Sequence, residues 1–186
     1  MQQSMNRSQI LILLGVTAVI LMVIAQVWLQ FSTVGMFPLR WNLQHLLYGG
    51  LLAIGISLMS GGVYRWWPKY RESADYYLDL ILRPLAVPDL IWVGLLPGMS
   101  EEMLFRGVML PEVGADWIGV LLSSLCFGAL HMTSARHWAY VVWASLIGMV
   151  FAWSAIATQN LLVPIVAHIL TNFISAIVWK LNPENH

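Results

Sequence analysis

The chain has 186 residues, 59% of them hydrophobic and 10% charged, and nine basic and nine acidic residues leave a formal net charge of zero. Soluble domains carry about 25% charged residues, so this composition excludes an ordinary soluble protein. The balanced charge offers no broad basic surface for nucleic acid and no acidic tail for a basic partner. Ten tryptophans and ten methionines suit a lipid setting, where Trp collects at the interfaces. Residues 1–186 read as one membrane-embedded domain.

A helix needs about 20 mostly apolar residues to cross the hydrocarbon core. The first candidate, 9–30, follows Arg7 and shares that feature with a signal peptide. It is long enough to cross, however, and five more apolar runs follow, so it reads as a spanning helix. The next run is 43–61. Segment 62–86 differs, because it holds Arg65, Lys69, Arg71 and Arg83 beside Trp66 and Trp67. Asp75, Asp79 and Arg83 recur every four residues and share one helical face. That pattern predicts a short amphipathic helix on the membrane surface near 75–84, with a solvated loop as the alternative. Further spans are expected over 87–110, 117–133, 138–157 and 161–180. The fold class is all-α: a polytopic bundle of about six spanning helices with one short interfacial helix. No repeat, low-complexity tract or linker interrupts it.

Loop charge sets orientation. With 62–86 in the cytoplasm, both termini and the 134–137 turn lie there too, so Arg7, Arg136 and Lys180 join its four cations. Only Arg40 and Arg106 remain elsewhere. The expected location is a bacterial-type plasma membrane, crossed several times. The single cysteine, Cys126, excludes an internal disulfide and a Cys-based zinc cluster. Its apolar neighbours predict a small buried thiol.

Within this apolar chain the stretch GMSEEMLFRG, residues 98–107, places Glu101, Glu102 and Arg106 at membrane depth. Charges there cost several kcal/mol unless paired or hydrated, and so point to function. Glu102 and Arg106 lie one turn apart and can pair. Glu101 is turned about 100° away and is free for another role. A blander reading has Pro97-Gly98 break the helix, Ser100 cap a new one and the two glutamates fill its first turn.

Two further clusters weigh against that reading. FGALH sets Phe127 and His131 four apart, and HILTN does the same for His168 and Asn172. One histidine on an apolar helix is usually an interhelical tie. Three spans that each carry polar groups of this kind are harder to explain so. A carboxylate, two imidazoles and a carboxamide can surround a water and form a hydrolytic centre. Two histidines and a glutamate would also suit zinc, with Glu101, His131 and His168 as ligands. The His-Glu-x-x-His motif of zinc proteases is absent, and so is the Gly-x-Ser-x-Gly turn of serine hydrolases. Helical rise puts Glu101 about 9 Å and His168 about 10 Å from the same membrane face, with His131 roughly 10 Å deeper.

The ordered elements Glu-Glu-x-x-x-Arg, Phe-x-x-x-His and His-x-x-x-Asn resemble the CPBP family. It is often called the Abi domain and includes type II CAAX prenyl proteases and bacteriocin-processing or bacteriocin-immunity proteins. The matching positions run from Glu101 to Asn172, and residues 87–180 would form the catalytic core. The resemblance implies an intramembrane protease in which Glu101 activates a water that His131 helps to hold. His168 and Asn172 would donate to the oxyanion, Glu102 and Arg106 would support Glu101, and Phe127 would line the pocket. It implies a membrane-anchored peptide or protein substrate, prenylated in the CAAX type. A metal-free mechanism is preferred, with zinc as the alternative. Two other functions stay open: a non-catalytic immunity or scaffold protein, and a small carrier in which Glu101 and His131 relay protons.

Overall fold

Polar caps mark where the helices begin. Asn6 and Gln9 cap α1 (Arg7–Phe31) reciprocally: Gln9 N donates to Asn6 Oδ1 at 3.0 Å, and Asn6 N to Gln9 Oε1 at 2.9 Å. The Asn42 side chain caps α2 (Leu43–Trp66). Helix α3 (Pro68–Leu82) starts on a proline, which suits a first helical position because its missing N–H would be unpaired there anyway. The Asp116 carboxylate accepts from Ile118 N and Gly119 N to open α6 (Trp117–Ala129). Helices α7 (Trp138–Thr158) and α8 (Leu162–Leu181) complete the bundle. The computed structural model describes residues 5–182, and no strand occurs among them.

Among the described residues four helices are long and apolar enough to cross a bilayer, or five when α3 and Val87–Val113, joined at a 107° bend, count as one broken span. The expected six is therefore approximate, for two reasons. The run over 117–133 forms a helix of only 13 residues, about 20 Å long against a core of about 30 Å. The run over 87–110 contains the three charged residues of the motif and does not pass as apolar alone. A helix, α3, does form where the surface helix was expected, but it begins seven residues earlier. It buries Tyr70, Ser73, Ala74 and Leu82 and turns its charges outward, which removes the loop alternative.

The chain does not break at Pro97-Gly98. Helix α4 (Leu90–Glu102) runs through Pro97 into a π-helical stretch, Met103–Met109, and then α5 (Leu110–Val113). Ser100 is no cap: its hydroxyl donates back to Leu96 O at 2.8 Å, a common use of serine inside helices. Pro111 has no N–H to offer Gly107 O four residues before it, and that carbonyl accepts instead from Phe37 N at 2.8 Å. Leu161 N donates to Pro38 O, and Asn160 bonds the backbone of Arg40 through both ends of its amide. These bonds tie the loop after α1 to the start of α8.

The other end of the bundle carries most of the charge. Arg7 pairs with Asp89, Arg136 with Glu72, and Lys180 donates to the carbonyls of Leu82 and Arg83. The start of α1, helix α3, the 135–137 turn and the end of α8 therefore share one face, with Arg40 at the opposite end.

Close helix contacts depend on glycine. A Cβ on Gly94 would meet Ile169 O at 2.7 Å, and one on Gly98 would meet Ile169 N at 2.9 Å. The Gly-x-x-x-Gly spacing of 94–98 thus lets α4 lie directly on the α8 backbone. Cys126 is exposed, not buried. The buried face of α6 consists of Gly119, Val120, Ser123, Ser124, Phe127 and Gly128, and position 126 falls opposite it.

Candidate active site

Helix α4 and the π stretch bring the acidic motif into the bundle. Glu102 and Arg106 are fully buried, and Arg106 Nη1 donates to Glu102 Oε1 at 2.8 Å. The other terminal nitrogen, Nη2, donates to Gly148 O at 2.9 Å, while the guanidinium lies over the Phe127 ring at 4.3 Å. A Cβ on Gly148 would come within 2.8 Å of Nη2, so this α7 position leaves the space the guanidinium fills. One arginine thereby links three helices. A pair this deep depends on its hydrogen bonds; Glu102 Oε2 and Arg106 Nε have no hydrogen-bond partner among the described residues.

Glu102 reaches further. Its Oε1 also lies 2.8 Å from His168 Nδ1, across from α4 to α8. The His168 ring is buried, stacked on Phe151 at 5.1 Å and edge-on to Phe127 at 5.6 Å. An ionised carboxylate only accepts, so this contact holds the proton on Nδ1 and turns Nε2 away.

Glu101 is buried too, but no side chain among the described residues donates to its Oε2. His131 Nε2 stands 3.9 Å away. The Nδ1 of His131 lies 3.0 Å from Phe127 O, and a carbonyl can only accept. The proton therefore sits on Nδ1, and neutral His131 presents an unprotonated Nε2 toward Glu101. At 3.9 Å the two acceptors are too far apart for a direct hydrogen bond and suitably spaced to share a small molecule.

The level match between these groups follows from a hairpin. The chain reverses at 114–116, with Glu101 on one arm and His131 just past the end of the other, each about 20 Å of helix from the turn. The expected depth mismatch arose from taking 117–133 as a complete crossing, which α6 is not.

Glu101, Phe127, His131, His168 and Asn172 all line one cavity of about 620 Å³. Asn172 lies one turn beyond His168 on α8, and Glu102 and Arg106 sit behind the wall. Among the described residues no three His, Cys, Asp or Glu side chains form a group able to hold a metal ion; His168 already spends Nδ1 on Glu102. Sequence reasoning did not single out Tyr77 and Tyr140. Their rings stack at 4.6 Å, and each lies 6.0 Å from the His131 ring. Nor did it single out Phe151 or Gly148. These belong to α3 and α7, where aromatic and small residues are too frequent to mark a site.

The family model described as Type II CAAX prenyl endopeptidase Rce1-like matches residues 83–174, a range that includes the residues above except Tyr77. The chain is similar to "Uncharacterized protein YpbD" of Bacillus subtilis (strain 168), 29% identical over 139 residues, covering 73% of this chain and 69% of that protein. It is also similar to the "Uncharacterized 24.3 kDa protein" of Escherichia coli, 26% identical over 145 residues, covering 69% of this chain and 66% of that one. No solved structure matches. Residues 83–174, just under half of the chain, match the type II CAAX prenyl endopeptidase Rce1-like family.

Proposed function

We propose that this protein is an intramembrane endopeptidase that hydrolyses a peptide bond of a membrane-anchored substrate with water activated by Glu101. The observation that carries the reading is Glu101 Oε2 facing His131 Nε2 across 3.9 Å at the wall of the cavity. A water between them donates one O–H to the carboxylate and the other to the imidazole. That leaves an oxygen lone pair directed at the substrate carbonyl.

As the water oxygen bonds to the carbonyl carbon, its proton passes to Glu101. The carbonyl oxygen becomes an oxyanion and accepts from the Asn172 amide and from His168. His168 donates through Nε2 only as the imidazolium, which the Glu102 carboxylate stabilises. Collapse breaks the C–N bond, and Glu101 returns its proton to the leaving amine. This route needs only residues of this chain.

The substrate proposed is the tail of a lipid-anchored protein, of the prenylated CAAX type. The cavity side beside α1 is bordered by Leu13, Ile20, Ile24, Leu80 and Leu130, all exposed and apolar, which suits a lipid chain entering sideways. The face that gathers Arg7, Arg136 and Lys180 is assigned to the cytoplasm, following the excess of positive charge.

The test is cleavage of membrane-tethered peptides by the purified protein in liposomes. Glu101→Gln keeps size and hydrogen bonding but removes the base, so it should abolish cleavage and leave folding nearly unchanged. Equal rates for Glu101→Gln and the parent would sink the proposal. Absence of cleavage by the parent on every prenylated and unprenylated peptide would turn the reading toward an immunity or scaffold protein.

A further inference from the structure

A second cavity, of about 230 Å³, lies between α2, α3 and α8. Its wall includes Gly61, Tyr64, Asp75 and Asn182, residues at the charged end of the bundle, and Tyr64 Oη donates to Asp75 Oδ1 there at 2.7 Å. Toward the interior it shares Ser60, Tyr70, Ala74, Leu78 and Ser175 with the wall of the main cavity. The two cavities adjoin at these side chains.

The helices flanking this boundary carry hydroxyls. On α8, His168, Thr171, Asn172 and Ser175 follow at helical spacing on one face, and all four line the main cavity. Across from them α2 supplies Ser57 and Ser60, and Ser60 Oγ accepts from Trp143 Nε1 at 3.3 Å. Ser57 Oγ and Thr171 Oγ1 are buried with no side-chain or backbone partner among the described residues. A buried hydroxyl without a partner costs about 1–3 kcal/mol, a cost that a water held beside each would offset.

We infer that this run of hydroxyls, from Asp75 and Asn182 past Ser57, Ser60, Ser175 and Thr171 to Asn172, is a water passage that supplies Glu101 from the charged face. The inference rests on the hydrolase reading above. Each turnover consumes one water, and a lipid-anchored substrate entering past Leu13, Ile20 and Leu130 would fill the apolar side with hydrocarbon. A separate polar route lets nucleophile and substrate arrive from different directions.

The test begins from Cys126→Ser, which removes the protein's single cysteine. Cysteine is then placed singly at Ser57, at Ser175 and at Leu58, an exposed α2 position on the lipid side. The reagent is a charged, water-borne methanethiosulfonate applied to the protein in liposomes. Thiolate is the reactive form and requires water, so Ser57→Cys and Ser175→Cys should react about tenfold or more faster than Leu58→Cys. Equal rates at the three positions would overturn the passage.

A second arm reads turnover. Ser175→Leu, which fills the passage, should lower kcat several-fold with KM and thermal midpoint unchanged, and by more than Ser175→Ala, which removes the hydroxyl without filling the space. Ser175→Leu turning over at the parent's rate would also overturn it. Fast labelling in a protein that never cleaves would overturn the hydrolase reading and leave a hydrated cleft. Slow labelling in one that cleaves would overturn the passage alone.

Discussion

Glu102 and His168 stand 66 residues apart in the chain, yet Oε1 of the one lies 2.8 Å from Nδ1 of the other in the buried interior. The same oxygen accepts from Arg106, whose other arm reaches Gly148 O on α7. The charge pair that looks local in sequence is therefore a three-helix junction, and it sets the tautomer of the cavity imidazole. Glu101 next to it stays out of this network and faces His131.

Arg106→Ala should test the junction. It leaves a buried carboxylate with only His168 beside it, and breaking one side of a buried pair costs about 3–5 kcal/mol. Unfolding in detergent should show a loss of that order, accompanied by lower peptide cleavage. Arg106→Lys should recover little, because a single ammonium cannot serve both Glu102 and Gly148 O. A protein with full activity and unchanged thermal stability would remove the assigned role.

Gly98 offers a test that touches no polar group. Alanine there would bring Cβ to 2.5 Å from Ile169 Cγ1 and 2.9 Å from Ile169 N. The side chain can move but the backbone cannot without opening the α4–α8 contact. Overpacking of this kind costs about 1–3 kcal/mol. The shift also moves Glu101 and Glu102 relative to His168 and Asn172, so cleavage should fall by more than stability does. Gly50→Ala, which meets nothing within 4 Å, is the control and should match the parent or exceed it in stability. Identical behaviour of the two variants would show that close approach at Gly98 does not position the site.

Where the sequence was legible and where it was not follows from the kind of signal each element carries. α1, α2, α7 and α8 are uninterrupted apolar runs, and their ends lie within five residues of where hydropathy puts them. The spacing of four in Glu102–Arg106, Phe127–His131 and His168–Asn172 predicts shared helix faces, and those faces turn to the bundle interior. Helix α6 was overextended because Leu130 and Met132 continue its hydropathy, although the helix stops at Ala129. The π stretch after Glu102 leaves no mark in composition. Cys126 was misplaced because apolar neighbours imply burial in water but not in lipid, where the outward face of α6 is apolar as well. Which residues of α3 and α7 would meet His131 depended on a 107° bend that no local pattern encodes.

His131→Ala should separate water activation from simple packing. Its Nε2 is the acceptor that faces Glu101, and its ring fills space beside Phe127, Tyr77 and Tyr140. Loss of a group that holds a proton during attack typically costs about 100- to 10,000-fold in rate. His131→Phe restores most of the ring volume without the nitrogen. If packing were the whole role, phenylalanine would return activity; the expected result is a stable protein that remains as slow as the alanine variant.

Asn172→Ala distinguishes oxyanion binding from base chemistry within one cavity. Asn172 sits a turn beyond His168 on α8, lines the same space as Glu101 and makes no contact with the Glu102–Arg106 junction among its hydrogen bonds. Removing one oxyanion donor typically costs about 100- to 1000-fold in kcat, so cleavage should persist at a reduced but measurable rate, unlike the complete loss in Glu101→Gln. Because the donor acts on charge that develops only in the transition state, kcat should fall with KM little changed. Asn172→Asp is the sharper variant. It keeps the shape but sets a carboxylate where the oxyanion would form, so it should be slower than alanine and recover when the pH is lowered enough to protonate it. An aspartate variant as fast as the parent at neutral pH would show that no negative charge develops beside position 172.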